Sequence, residues 1–240
     1  MRTQGATMSR LSEDDVLDAL GDVVDPELDQ PLVELGFIQR VEIENAPSGA
    51  RVRVELRLPT YWCAPNFSWL MAADAREALL GHAGIAQAEV ALVDHHAADE
   101  ISGGVSAGRA FGEVFGREGP GDLGGLRGLF RRKAFLVRQE RLVHSLEQAA
   151  APGERDAPAL AALTIADLPD TEPARAYLSV RAELGLDCSP RAHVMTDAGG
   201  RPVRDLEAHL RLGRLMRVTL EGNGAMCRGL LATRYGEEAT

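Results

Sequence analysis

Arg51-Val52-Arg53-Val54-Glu55-Leu56-Arg57-Leu58, followed by Pro59-Thr60-Tyr61-Trp62-Cys63-Ala64-Pro65-Asn66, is the stretch that decides the architecture. Val52, Val54, Leu56 and Leu58 alternate with Arg51, Arg53, Glu55 and Arg57, so one side of an extended strand is apolar and the other charged. Such alternation predicts a sheet buried on a single face. The strand stops at Pro59, and Asn66 is placed as the N-cap of a helix. That helix carries Phe67, Leu70, Met71, Ala75, Ala78 and Leu79 on one side, and Gly81 and Gly84 close it.

Upstream, Ser12 and Asp15 resemble a capping box. They open a helix with Val16, Leu17, Leu20 and Val24 on one stripe, ended by Asp25-Pro26-Glu27. Residues 28–36 read as a polar loop. Phe37, Val41 and Ile43 form an earlier strand whose alternation is imperfect at its start, joined to the next by the turn Ala46-Pro47-Ser48-Gly49. Downstream, Ile85 to Val93 reads as a third strand. The first hundred residues therefore predict helix–strand–strand–helix–strand, a small α/β (α+β) module with helices packed on one sheet face.

Beyond Asp94-His95-His96, residues 102–125 are rich in glycine, with Phe111 and Phe115 on a short amphipathic stretch. A long helix is predicted from Asp122 to Gln148. Its apolar arc of Leu126, Leu129, Phe130, Leu136, Val137 and Val143 is widened by Phe135, Leu142 and Leu146, so it needs cover on two sides. Arg131, Arg138 and Arg141 are left on a narrow polar face. Residues 149–158 have linker composition. Helices follow near Pro173–Leu184 and Asp205–Met216, with a strand-like end at Val218–Leu220. The expected division is residues 1–100, a helical extension over 101–150, and a C-terminal α/β region over 151–240.

Composition bounds the function. The net charge of −10 over 240 residues argues against non-specific nucleic-acid binding, which needs a basic surface. No apolar run has bilayer length and the N-terminus lacks a secretory core, which places the protein in the cytoplasm. Cys63, Cys188 and Cys227 form no CxxC pair and no disulfide framework. No phosphate loop or serine-nucleophile motif is present.

Cys63 lies between a strand end and a helix start, where free N–H groups and the helix dipole favour a thiolate, the form that binds soft metals or attacks electrophiles. Aromatics are 5% of the chain, yet Tyr61, Trp62, Phe67 and Trp69 crowd around it. They shield a metal, form a contact patch for a partner, or line a buried core corner around the cysteine. Cys188, His193 and Cys227, with Cys63, are candidate metal ligands if the fold brings them together. His95 and His96 are adjacent, so only one of them is expected to face a given site. Asp25, Glu27 and Glu34 read either as hard-oxygen ligands or as helix-ending and turn residues.

Taken in order, Val24-Asp25-Pro26-Glu27, Val33-Glu34-Leu35-Gly36-Phe37-Ile38, the Cys63 loop and the strand Ile85–Val93 resemble the iron–sulfur cluster assembly domain family that includes the PaaD-like and SufT-like proteins. The resemblance implies that Cys63 is the functional residue, with Asp25, Glu27 and Glu34 at the family's acidic positions, and that iron or an iron–sulfur cluster is carried transiently. Two features depart from the pattern: Ala64 stands between the cysteine and Pro65, and Tyr61-Trp62 replaces smaller residues. Pro59–Phe67 and the helix with Arg138-Gln139 resemble a longer subgroup associated with actinobacterial gene clusters for soluble di-iron monooxygenases. This implies a client metalloenzyme, a di-iron monooxygenase subunit, as partner. The expected function is a maturation factor using Cys63. The alternatives are a metal-free folding adaptor for an oxygenase subunit and a thiol enzyme, the latter without an identifiable base for Cys63. A homodimer is compatible with the exposed edges of a small sheet.

Overall fold

The computed structural model describes residues 10–116, 123–150 and 157–236. It has the α+β character expected, and it falls into two compact units: residues 1–123 together with 223–240, and residues 124–222.

The first unit starts with α1 (Glu13–Ala19). Ser12 Oγ accepts from the Asp15 N–H at 3.2 Å and the Asp15 carboxylate accepts from the Ser12 N–H at 2.8 Å, completing the capping box. The helix ends at Leu20, so Val24 is not on its stripe. Val24–Asp25 is instead strand β1, paired antiparallel with β2 (Gln30–Pro31) inside what the sequence presents as a plain loop. Asp25 makes that turn: its Oδ1 accepts from the N–H of Glu27 at 2.8 Å and of Leu28 at 3.0 Å.

The sheet has the order β3-β4-β5, with β3 (Ile38–Glu44) antiparallel to β4 (Ala50–Arg57) and β4 parallel to β5 (Ile85–Val93). Val52, Val54, Leu56 and Leu58 are buried, as the alternation predicts. The flawed start of β3 has a physical cause. The register shifts between Ile38 and Arg40, so Gln39 is an inserted residue and Ile38, not Phe37, stands opposite Leu56. Phe37 is buried from the turn before the strand.

Helix α2 (Pro65–Gly81) joins β4 to β5, with Ala64 at its N-cap and Pro65 in its first turn. This corrects the placement of Asn66 as the cap. Proline's fixed φ suits the first helical position, so the helix starts two residues earlier and Asn66 is enclosed in its first turn. The glycine-rich stretch contains a helix that its composition hides, α3 (Ala98–Ser106), followed by α4 (Phe111–Phe115). Glycine is required at 104, where a Cβ would lie 2.5 Å from the Trp69 ring. Trp69 packs edge-on against Phe111 and Phe115, with ring centroids 5.5 and 6.1 Å away.

The second unit is helical. Helix α5 (Leu123–Ala149) confirms the predicted long helix, whose expected start at Asp122 lies outside the described residues. Phe135, Leu142, Val143 and Leu146 pack with Leu160 of α6 (Ala157–Ala162) and with Tyr177 and Val180 of α7 (Glu172–Glu183). Leu129 is exposed rather than on the buried arc. The basic face is paired rather than free: Arg131 meets Glu183 at 3.0 Å, Arg141 meets Glu221 at 3.5 Å, and Arg138 donates to the Ala176 carbonyl at 3.2 Å.

Helix α8 (Leu206–Tyr235) corrects the reading of a strand at Val218–Leu220, which lie within it. It supplies residues up to Gly222 to the second unit and from Asn223 to the first. The units thus cut the chain differently from the division at 100 and 150. Helix α3 packs on β5 and α2, and Leu231 of α8 is buried in the first unit's core, so both belong with the sheet. Most of the expected linker, residues 151–156, lies outside the described residues. No described helix is long and apolar enough to cross a membrane.

Candidate functional site

Cys63 sits in the loop that leaves β4 and enters α2, and it is half-buried. Its N–H donates to the Thr60 carbonyl at 3.4 Å and its Sγ lies 3.3 Å from Thr60 Oγ1, so the thiol is folded back over a tight turn. The loop is clamped by the segment after β5, which leaves the same end of the sheet because β4 and β5 run parallel with Arg57 opposite Val93. His95, buried just after β5, has its Nε2 2.7 Å from the Cys63 carbonyl and 3.3 Å from Ser68 Oγ.

The protonation of His95 follows from its partners. Nδ1 accepts the Ala97 N–H at 3.1 Å, so in the neutral ring the proton is on Nε2, which donates to the Cys63 carbonyl. Ser68 Oγ donates to the Ala64 carbonyl at 3.1 Å, which leaves its lone pairs toward the ring. Burial pushes the His95 pKa down, against the pull of the Cys63 carbonyl, and His96 adds to the lowering. The ring is therefore a neutral strut and not a base directed at the thiol. His96 is exposed and stacks on Trp62 with centroids 5.3 Å apart. The two histidine rings also stack, at 4.5 Å, because both follow the end of the strand, where alternation no longer separates neighbours.

The aromatic cluster divides. Trp62 is 75% exposed and Tyr61 40%, meeting edge-on at 4.9 Å. Phe67 is half-buried, and Trp69 is buried at 5% exposure, so it belongs to the core and not to a contact surface.

The acidic positions also divide. Glu27 and Glu34 are exposed, whereas Asp25 is half-buried and its carboxyl is raised by burial despite the two N–H groups it caps. Cys227 joins this corner from α8. Burial pushes its thiol up, helped by the neighbouring Asp25, Cys63 and Glu27 and opposed by Arg228. Both Cys63 and Cys227 pack against the same apolar cluster. Cys188 and His193 are both exposed and both lie in the second unit. Among the described residues, no group of three or more His, Cys, Asp or Glu side chains is arranged to hold a metal ion.

Residues 13–92 match the iron–sulfur cluster assembly protein family. The match runs from α1 nearly to the end of β5 and takes in Asp25, Glu27, Glu34 and the Cys63 loop, about a third of the chain. His95, the end of α8 and Cys227 lie outside it. No curated protein and no solved structure matches the chain.

Activated nucleophilic thiols sit beside positive groups, and here the neighbours of Cys227 are chiefly negative. Asn66, three residues after Cys63, is 93% buried and its Oδ1 has no hydrogen-bond partner among the described residues, a buried acceptor that a cation or donor would satisfy. Sequence reasoning missed the clamp by His95 because nothing in a linear pattern ties residue 95 to the carbonyl of residue 63.

Proposed function

We propose that this chain is a maturation factor that holds iron, as the ion or as part of an iron–sulfur cluster, and passes it to a client metalloenzyme, a di-iron monooxygenase subunit being the case its sequence resembles. The iron is cargo. Cys63 is the thiol that holds it or holds sulfide, Asp25 and Glu27 supply a negative surround, and the exposed pair Tyr61-Trp62 meets the client.

The observation that carries this reading is the setting of Cys63. It is a half-exposed thiol on a clamped loop, beside a 75%-exposed tryptophan, within a segment matched to iron–sulfur cluster assembly. Exposed tryptophans of that extent serve recognition more often than folding. A neutral clamp on the loop backbone leaves the thiol itself free to change ligands.

The test is anaerobic loading with ferrous iron, with and without sulfide, followed by metal quantification and absorption spectra for wild type and Cys63→Ser. Stoichiometric iron lost in the variant supports the carrier, and a sulfide-dependent chromophore assigns a cluster. Absence of iron from both proteins overturns carriage. The exposure of Trp62 also favours a second reading, a metal-free folding adaptor. That reading is supported if Cys63→Ala still matures the client while Trp62→Ala does not.

A further inference from the structure

We propose that the outer face of α8 is a dimer interface, on which a second copy of this chain lays its own α8 antiparallel. The face lies outside the segment that matches the family, and it serves this purpose whether or not Cys63 holds iron.

Helix α8 is apolar on two sides. One side is covered: a Cβ on Gly213 would lie 2.9 Å from the Glu140 side chain, a Cβ on Gly224 would lie 2.5 Å from Gln30, and Leu220 and Leu231 are buried. The other side is bare. Leu212, Leu215, Val218, Met226 and Leu230 are 43–64% exposed, more than half of the exposed large apolar side chains among the described residues. Leu212, Thr219, Met226 and Thr233 recur every seventh residue, with Leu215, Gly222 and Gly229 between them, which is the spacing of a helix–helix seam. The charged residues from 212 to 233 are Arg214, Arg217, Glu221 and Arg228, and none falls on the seam or its flanks. Arg214 and Arg217 reach Glu140, Arg217 also meets Glu221, and Arg228 donates to Gln30. The seam threonines are satisfied within their own helix: Thr219 Oγ1 donates to the Leu215 carbonyl at 2.9 Å and Thr233 Oγ1 to the Gly229 carbonyl at 2.8 Å. Neither hydroxyl needs an acceptor from a partner.

The seam complements itself in size. A two-fold axis passing between positions 220 and 221 sets Leu212 opposite Gly229, Leu215 opposite Met226 and Thr219 opposite Gly222. Space is free for this, because a Cβ on Gly222 or Gly229 would meet nothing within 4 Å. A parallel pair would instead stack glycine on glycine and leucine on leucine, leaving voids beside crowded layers. Antiparallel packing also opposes the two helix dipoles. The area is sufficient. The seam is about 33 Å long and about 10 Å wide. With side-chain relief roughly doubling the flat area, each copy offers on the order of 650 Å² and the dimer about 1,300 Å², above the roughly 1,000 Å² that a specific interface requires. Left in water, such a patch exceeds what a monomer usually exposes.

Sedimentation of the full-length protein from about 1 to 100 μM reads the association. A mass of two chains at the upper end is expected, and a single chain throughout overturns the proposal. Leu215→Glu puts a charge on the seam at a position exposed in the single chain. It is expected to raise the dimer dissociation constant at least about 100-fold with circular dichroism unchanged. A dimer as tight as wild type in this variant moves the contact to another surface and overturns the proposal. Direction is read in a Cys188→Ser background. Chains carrying Leu212→Cys and Gly229→Cys are expected to cross-link when mixed and oxidised, whereas Leu212→Cys alone does not, because its two copies stand about 25 Å apart along an antiparallel seam. Self-linking of Leu212→Cys overturns the antiparallel pairing. A monomer whose α8 gains amide protection only on adding a client subunit assigns the face to the client and overturns the second copy. The wild-type mass uses the unaltered chain, so it decides the matter even if a variant fails to fold.

Discussion

The carbonyl of Cys63 accepts a 2.7 Å hydrogen bond from Nε2 of His95, a link across 32 residues that ties the loop after β4 to the segment after β5. Its donor is the neutral ring, whose pKa is lowered chiefly by burial. A histidine lowered in the folded state stabilises the fold above the ordinary imidazole range, where both states are neutral. That contribution is lost as pH falls, because the unfolded chain takes up its proton first. His209, also lowered by burial, acts in the same direction, so the test is a difference. Urea unfolding of wild type and His95→Gln across pH 5 to 8 is expected to give a shallower loss toward acid in the variant. Equal slopes would refute the neutral clamp.

Trp69 and Trp62, seven residues apart, are expected to respond oppositely to truncation. Trp69→Ala removes a ring packed on Gly104, Phe111 and Phe115 and should cost about 3–5 kcal/mol. Trp62→Ala removes an exposed ring and should stay within about 0.5 kcal/mol, while weakening client maturation. Chemical denaturation measures the first, and iron transfer to the client measures the second.

Glu140 in α5 is buried, with Arg217 at 2.6 Å and Arg214 at 3.4 Å. Replacing Arg217 with Met strands a buried carboxylate whose remaining cation is the more exposed and more distant one. A loss of about 3 kcal/mol is expected. Glu140→Gln should restore part of it in the double variant, because the amide needs no counter-charge. A double-mutant cycle by calorimetric or denaturant unfolding reads this directly.

Tyr235 donates its hydroxyl to the Asp94 carboxylate, which also pairs with Arg234 at 2.9 Å, and its ring lies under Arg57 at 4.3 Å. Burial and the Asp94 hydrogen bond push the phenol up to about 12, so it remains a donor throughout the neutral range. Tyr235→Phe keeps the ring and removes the anchor. Amide exchange over residues 223–235 should quicken and Cys227 should be alkylated faster, with Cys188 unchanged as the internal control.

Local chemistry settled much of this protein in advance. The alternation over residues 51–58, the cap at Ser12, the third strand at Ile85–Val93 and the long helix from 123 are all readable because each depends on periodicity or on neighbours within a turn. Cys63 is likewise visible from its place between strand and helix. Some elements were hidden for equally local reasons: glycine composition masked α3, and the brief pairing of β1 with β2 has too few residues to show a period.

What only the tertiary structure decided is long-range. Which tryptophan is buried depends on Gly104 leaving room for the Trp69 ring. Whether His95 is ligand, base or strut depends on a carbonyl 32 residues away. That Cys227 lies near Asp25 and Glu27 depends on the last turns of α8 belonging to the first unit, 164 residues after Cys63. Periodicity reports which face of an element is buried; it carries no information about which distant element covers that face, because that choice is made by the summed packing of the whole chain.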